Sequence, residues 1–145
     1  MTVKISELLS EQHRHCHRRL EAFTATLEEG DWDAAELAAL AFGDALHAHM
    51  WAEEEHLFPA LAQESELARV PIRNMRSEHV QIRALLDDLI QALVTRDTDR
   101  VKGIAETLLV LIRQHDTKEE AVLYSLADRL LDDLPPGLRG RRIPL

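Results

Sequence analysis

The sequence predicts an all-α protein, an up-down-up-down four-helix bundle. Three observations carry this. Apolar residues recur at alternating spacings of three and four along four long stretches, the period of a helix that buries one face. Short connections with helix-stop residues join those stretches, which makes neighbouring helices antiparallel. Gly and Pro number only five each and aromatic residues six, which argues against a β-rich sandwich.

The first helix is expected from about Ser6 to Glu29, with Gly30 as its C′ residue. Asp31 suits the N-cap of a second helix that runs to about Phe58 or a little past Pro59. Pro59 lacks an N–H and should end or kink that helix. Pro71 fits the first turn of a third helix reaching about Val94, and Thr95 to Thr98 makes a turn. The fourth helix runs to about Asp132, before Pro135-Pro136-Gly137. Each rod is roughly 35–50 Å long at 1.5 Å per residue. Residues 1–134 form one bundle domain, and 135–145 read as a basic, solvated C-terminal tail.

Composition narrows the function. With 26 acidic against 17 basic residues and a net charge of −9, the chain is a poor match for nucleic acid. One cysteine excludes an intramolecular disulfide and a Cys-rich zinc site. No apolar run is long enough to span a membrane, and residues 1–7 lack the apolar block of a signal peptide. A cytoplasmic location is the expectation.

The seams then hold a surprise. Helix one places Leu9, His13, Cys16, Leu20, Phe23 and Leu27 on one face; helix three places Met75, His79, Ile82, Leu86, Leu89 and Leu93 at the same spacings. Helix two gives Phe42, Leu46, His49, Glu53 and Leu57, and helix four Leu108, Ile112, His115, Glu119 and Leu123. A histidine stands in every apolar stripe, and a glutamate in two of them. The chain also repeats: an offset of 66 residues maps His13, His49, Glu53 and Glu54 onto His79, His115, Glu119 and Glu120. Two copies of one hairpin about a pseudo-twofold axis bring four histidines and two glutamates to one level of the core.

His and Glu at i and i+4 share a helix face. Two carboxylates buried without partners cost several kcal/mol each. Cations remove that cost, because carboxylate and neutral imidazole are both metal ligands. Two cations bridged by Glu53 and Glu119 and capped by the histidines use all six residues. Two octahedral ions with a bridging oxide or hydroxide keep about two positions open, unlike the closed shell of a structural site.

The stretches Glu11-Gln12-His13, His49 through Glu53-Glu54-Glu55 to Leu57-Phe58-Pro59, Ser77-Glu78-His79, and His115 through Glu119-Glu120 to Leu123-Tyr124 resemble the hemerythrin-like (HHE cation-binding) family over about residues 5 to 131. The resemblance implies a non-heme di-iron centre: two Fe ions, with Mn or Zn as alternatives, His13 and His49 on one, His79 and His115 on the other. It implies a protein that binds or senses O2, NO or peroxide. A di-iron enzyme acting on peroxide or NO, or an iron-storage protein, is the alternative. Two departures separate the chain from the animal oxygen carriers of that family. Arg83 stands where they have a second histidine, and Glu119 follows His115 by four residues where they have Asp at five. His17, at the pseudo-symmetric equivalent of Arg83, is a possible additional ligand.

The other candidates have plainer readings. Cys16 matches Ile82 in the repeat and reads as a small buried hydrophobe; Tyr124 matches Phe58 and reads as core. Glu54 and Glu120 either accept hydrogen bonds from histidine N–H groups or are solvated. Met50 and Trp51 are expected between helices. His15 and His47 point away from the seam, and His56 lies near it with Val122 as its counterpart. The small-molecule ligand is the one partner class the sequence suggests, and it does not set an oligomeric state.

Overall fold

Residues 3–138 are described by the computed structural model. Helix α1 (Ile5–Glu28) is followed by α2 (Trp32–Ala52), which continues through a π-helical turn at Glu53–Leu57 into α3 (Phe58–Glu64). A 3-10 turn at Glu66–Ala68 leads to α4 (Arg69–Val94). The last rod is α5 (Thr98–Lys118), a second π-helical turn at Glu119–Tyr124, and α6 (Ser125–Leu130). No strand occurs among the described residues, and none of their helices is long and apolar enough to cross a membrane. The four rods form the expected bundle, with α1 packed mainly on α2 and α4 mainly on α5.

Helix ends follow from local chemistry. Gly30 takes φ 75°, and the Asp31 and Gly30 amides donate to Thr26 O and Leu27 O, a Schellman close. Asp31 then caps α2 by accepting from the Ala34 amide at 3.1 Å. The second hairpin repeats the device 66 residues later. The Asp97 and Arg96 amides donate to Ala92 O and Leu93 O, and Asp97 accepts from the Arg100 amide at 3.2 Å. Here the left-handed residue is Arg96, at φ 53°, a conformation that costs a non-glycine residue about 1–2 kcal/mol.

Of the two outcomes expected at Pro59, an end or a kink, the structure excludes the end. It falls in the first turn of α3, directly after a π-helical turn, where the ladder already changes register. The rod runs on to Glu64. The C-terminal segment differs too. Pro136–Leu138 forms a 3-10 turn, Leu138 is buried, and a Cβ on Gly137 would fall about 2.1 Å from the His56 ring, so only glycine fits that approach. The basic residues expected as a solvated tail begin at Arg139 and lie outside the described residues.

The core has two apolar clusters. One holds Cys16, Leu20, Phe23, Phe42, Leu46, Ile82, Leu86, Leu108 and Ile112 with their neighbours. The other holds Ile5, Leu9, Leu57, Phe58, Leu61, Met75, Leu123, Tyr124 and Leu138. Along every rod the predicted histidine falls at the junction between them. Ser6 ties the start of α1 to Asp128 of α6 through both its amide and its hydroxyl.

The duplicated connectors give an internal comparison. Arg96→Gly relieves the left-handed strain and should stabilise the chain by about 0.5–1 kcal/mol, while Gly30→Ala should cost about 1 kcal/mol. Chemical denaturation of both variants checks the pair, and a destabilising Arg96→Gly would contradict the assignment.

Candidate metal centre

All six predicted residues are buried at one level. Glu53, Glu119 and His79 have no exposed surface, and His13, His49 and His115 are 4% exposed or less. Their inner atoms form two groups, His13, His49, Glu53 and Glu119, and then Glu53, His79, His115 and Glu119. Within each group one atom per residue lies within 4.8 Å of the others, and both glutamates belong to both groups. Glu53 Oε1 sits 3.3 Å from His49 Nε2 and 3.3 Å from His79 Nε2, so it faces both halves. Glu119 Oε1 is 2.9 Å from His13 Nε2, and its Oε2 is 3.4 Å from His115 Nε2.

An outer layer fixes each ring. His13 Nδ1 donates to Glu120 at 3.1 Å and His79 Nδ1 to Glu54 at 2.7 Å. His49 Nδ1 donates to Gln12 Oε1 at 2.7 Å and His115 Nδ1 to Glu78 at 2.9 Å. With Nδ1 occupied, every Nε2 is turned inward, the arrangement that metal-binding histidines use. The layer obeys the 66-residue repeat: Glu54 matches Glu120, and Gln12 matches Glu78. The glutamates one residue after Glu53 and Glu119 thus accept histidine N–H bonds, one of the two readings open for them. Gln12 and Glu78 had no assigned role; their position just before each upstream histidine was the available signal. Arg83 closes the layer with two bonds to Glu54, at 2.7 and 2.9 Å, and Lys118 pairs with Glu78.

The structure places two further side chains. Tyr124 is in the site and not simply core. Its Oη contacts Glu53 Oε2, Glu119 Oε1, His13 Nε2 and His49 Nε2 at 2.6, 2.8, 2.9 and 3.3 Å. Five residues after Glu119, it would turn away on an α-helix; the i→i+5 register of the π turn returns it to the same face. His17 belongs to neither group. Its Nε2 pairs with Asp116 Oδ2 at 3.0 Å, while Asp116 Oδ1 lies 3.2 Å from His13 Nε2. Asp116 had no signal in the repeat, since its counterpart is Met50. Cys16 is buried at 2% exposure, and burial, with the charges of Asp116 and Glu53, pushes its thiol up to about 12, so it is an inert packing residue. His47 is exposed as expected; His15 and His56 are half-buried, and Trp51 meets the His56 ring edge-on.

The electrostatics describe a site short of positive charge. Burial and the charge of Glu119 raise Glu53 to about 8. Glu119 falls well below the usual range: burial opposes this, but hydrogen bonds from His115, His13 and His49 prevail. His13 and His115 rise to about 9, since their carboxylate neighbours outweigh burial, whereas burial lowers His79. Four inner atoms, Glu53 Oε1, Glu119 Oε2, His79 Nε2 and His115 Nε2, are buried with no hydrogen-bond partner. Orphaned buried groups of this kind are rare and costly, and these four are oxygen and imidazole donors suited to a cation. The residues therefore fit a bound metal.

A four-helix bundle whose core holds two linked His/Glu groups is the architecture of a cation-binding protein. The chain belongs to the hemerythrin HHE cation-binding domain family, whose model matches residues 4–127. Comparison with curated proteins and with solved structures gave no match.

Protonation supplies a test. Native pKa values of about 9 for His13 and His115 exceed the ordinary 6.5, and about 8 for Glu53 exceeds 4.5. Stability from the two histidines is complete below about pH 6.5 and lost as pH rises through 9; that from Glu53 is complete below about 4.5 and lost through 8. The Tm of metal-stripped protein should therefore fall between about pH 6.5 and 9. Metal must displace the same protons, so the gain in Tm on adding ferrous iron anaerobically should widen over that window. Melts of both forms across the range check this, and a stripped Tm that rises instead contradicts it. A second measurement tests His17: His17→Ala should leave metal content unchanged.

Proposed function

We propose that this chain is a non-heme di-iron protein that binds or senses O2, NO or peroxide. His13 and His49 hold one iron, His79 and His115 the other, and Glu53 and Glu119 bridge them. The observation that carries the reading is the sharing of both glutamates between two otherwise separate histidine pairs. One ion does not use two such groups; two ions bridged by carboxylates do. Iron is preferred to zinc because mixed imidazole and carboxylate ligation with open positions suits a redox metal.

When bound, the metal pair supplies open coordination positions and electrons for a small diatomic or peroxide. The chain's own residues hold and orient it. Glu120, Gln12, Glu54 and Glu78 keep the four rings aimed inward. The apolar clusters on either side exclude bulk water from the layer. A surface cleft of about 430 Å3 supports access for small molecules. Met75 and Leu123, both buried, line it one helical turn from His79 and Glu119, and Glu78, the partner of His115, lies on its wall.

Elemental analysis of protein reconstituted anaerobically with ferrous iron should give about two irons per chain. Glu53→Ala and Glu119→Ala should each lower this below two, since each side chain serves both ions. Full occupancy in both variants rejects the bridging role. Uptake and release of NO or O2 without net turnover distinguishes binding or sensing from catalysis on peroxide.

A further inference from the structure

The two halves of the site carry matching aromatic rings that differ by one oxygen atom. Tyr124 stacks on His13 with ring centroids 5.2 Å apart and planes inclined at 24°. Phe58, its counterpart 66 residues earlier, stacks on His79 at 5.9 Å and the same 24°. The rings are mirrored, but only Tyr124 carries a hydroxyl. Its four contacts reach one inner atom from each member of the first group, at 2.6 to 3.3 Å. The four inner atoms of the site left without partners are the two histidine nitrogens of the second group and the remaining oxygen of each glutamate.

Those distances have a specific meaning. Donor atoms that bind one ion at roughly 2.0–2.2 Å and at right angles lie about 3 Å from each other. The Tyr124 contacts have the length of such ligand-to-ligand edges. Oη thus stands where a fifth donor of the same coordination sphere stands. A tyrosine placed only for packing has no reason to set its hydroxyl among two carboxylates and two imidazoles, and Phe58 shows that the ring packs equally well without it.

We propose that Tyr124 is a fifth protein ligand, as phenolate, to the cation held by His13, His49, Glu53 and Glu119. Phe58 leaves the mirrored position beside His79 and His115 without a protein donor, so an external ligand is directed to that second cation. The inference rests on the two-ion reading above. Coordination replaces the phenolic O–H bond with an O–metal bond; the proton passes to the buffer and no electron is transferred.

Resonance Raman spectroscopy of the oxidised, iron-loaded chain tests this, with iron counted on the same sample. Tyr124 is the only tyrosine in the sequence, so any phenolate signal is its own. The expected result is a visible phenolate-to-ferric charge-transfer band whose excitation enhances phenolate ring modes, with two irons per chain. In Tyr124→Phe both signals vanish. Two irons without phenolate modes overturn the ligand assignment and leave the di-iron reading intact. Phenolate modes with fewer than two irons keep Tyr124 as a ligand and remove the two-ion reading. Fewer than two irons and no phenolate modes overturn both. The wild-type spectrum decides even where the variant does not hold iron.

Discussion

The burial of Glu53 and Glu119 is the constraint on which the rest of the molecule depends. Neither carboxylate has any exposed surface, and in a low-dielectric core an uncompensated carboxylate costs several kcal/mol. The bundle answers with four imidazoles at the same level, and each imidazole needs an acceptor behind it to fix its orientation. The charge deficit therefore propagates outward, from two glutamates to four histidines to Gln12, Glu54, Glu78 and Glu120, and then to Arg83 and Lys118 at the surface. The two apolar clusters hold the layer in place but do not neutralise it. Some of the negative charge is left for a cation, as the orphaned inner atoms register.

Duplication makes this layer economical to encode. One hairpin, used twice, supplies the Schellman close, the aspartate cap, the inward histidines and the π turn that begins at each shared glutamate. A π turn is rare and recurs at functional sites. Here its effect is concrete. It brings the residue five positions after each glutamate, Phe58 or Tyr124, onto the face of the site, where each ring stacks on a histidine of the other hairpin or rod pair.

The same physics decides what could be read from the sequence. Four rods and six buried polar residues were legible because helical period and the 66-residue offset both act at a distance along the chain, and histidine in an apolar seam has few explanations. The helix ends at Gly30 and Asp31 were legible from local backbone chemistry. Tyr124 was not, because a spacing of five falls off the face of an α-helix and its partner Phe58 suggested ordinary packing. The extension of the rod past Pro59 to Glu64 was not legible for the same reason: the register change that tolerates the proline is the π turn. His17 was placed by symmetry with Arg83, but Asp116, which has no counterpart in the first hairpin, draws it away from the cluster. Symmetry transmits what was duplicated and is silent about what changed afterwards.

Those later changes give the two halves unequal surroundings. Behind the His79/His115 group, Glu54 is paired with Arg83 and Glu78 with Lys118, so each outer carboxylate is met by a fixed cation. Behind the His13/His49 group stand neutral Gln12 and the carboxylates of Glu120 and Asp116, with no Lys or Arg paired to either among the described residues. The imidazoles themselves do not separate the halves, since His13 in one and His115 in the other both rise to about 9 as carboxylate neighbours outweigh burial. Outer carboxylates without a paired Lys or Arg favour positive charge on a cation beside them. The more negative half is the one with Tyr124, so outer charge and inner oxygen act in the same direction, and the two His/Glu groups of a duplicated fold are not chemically equivalent.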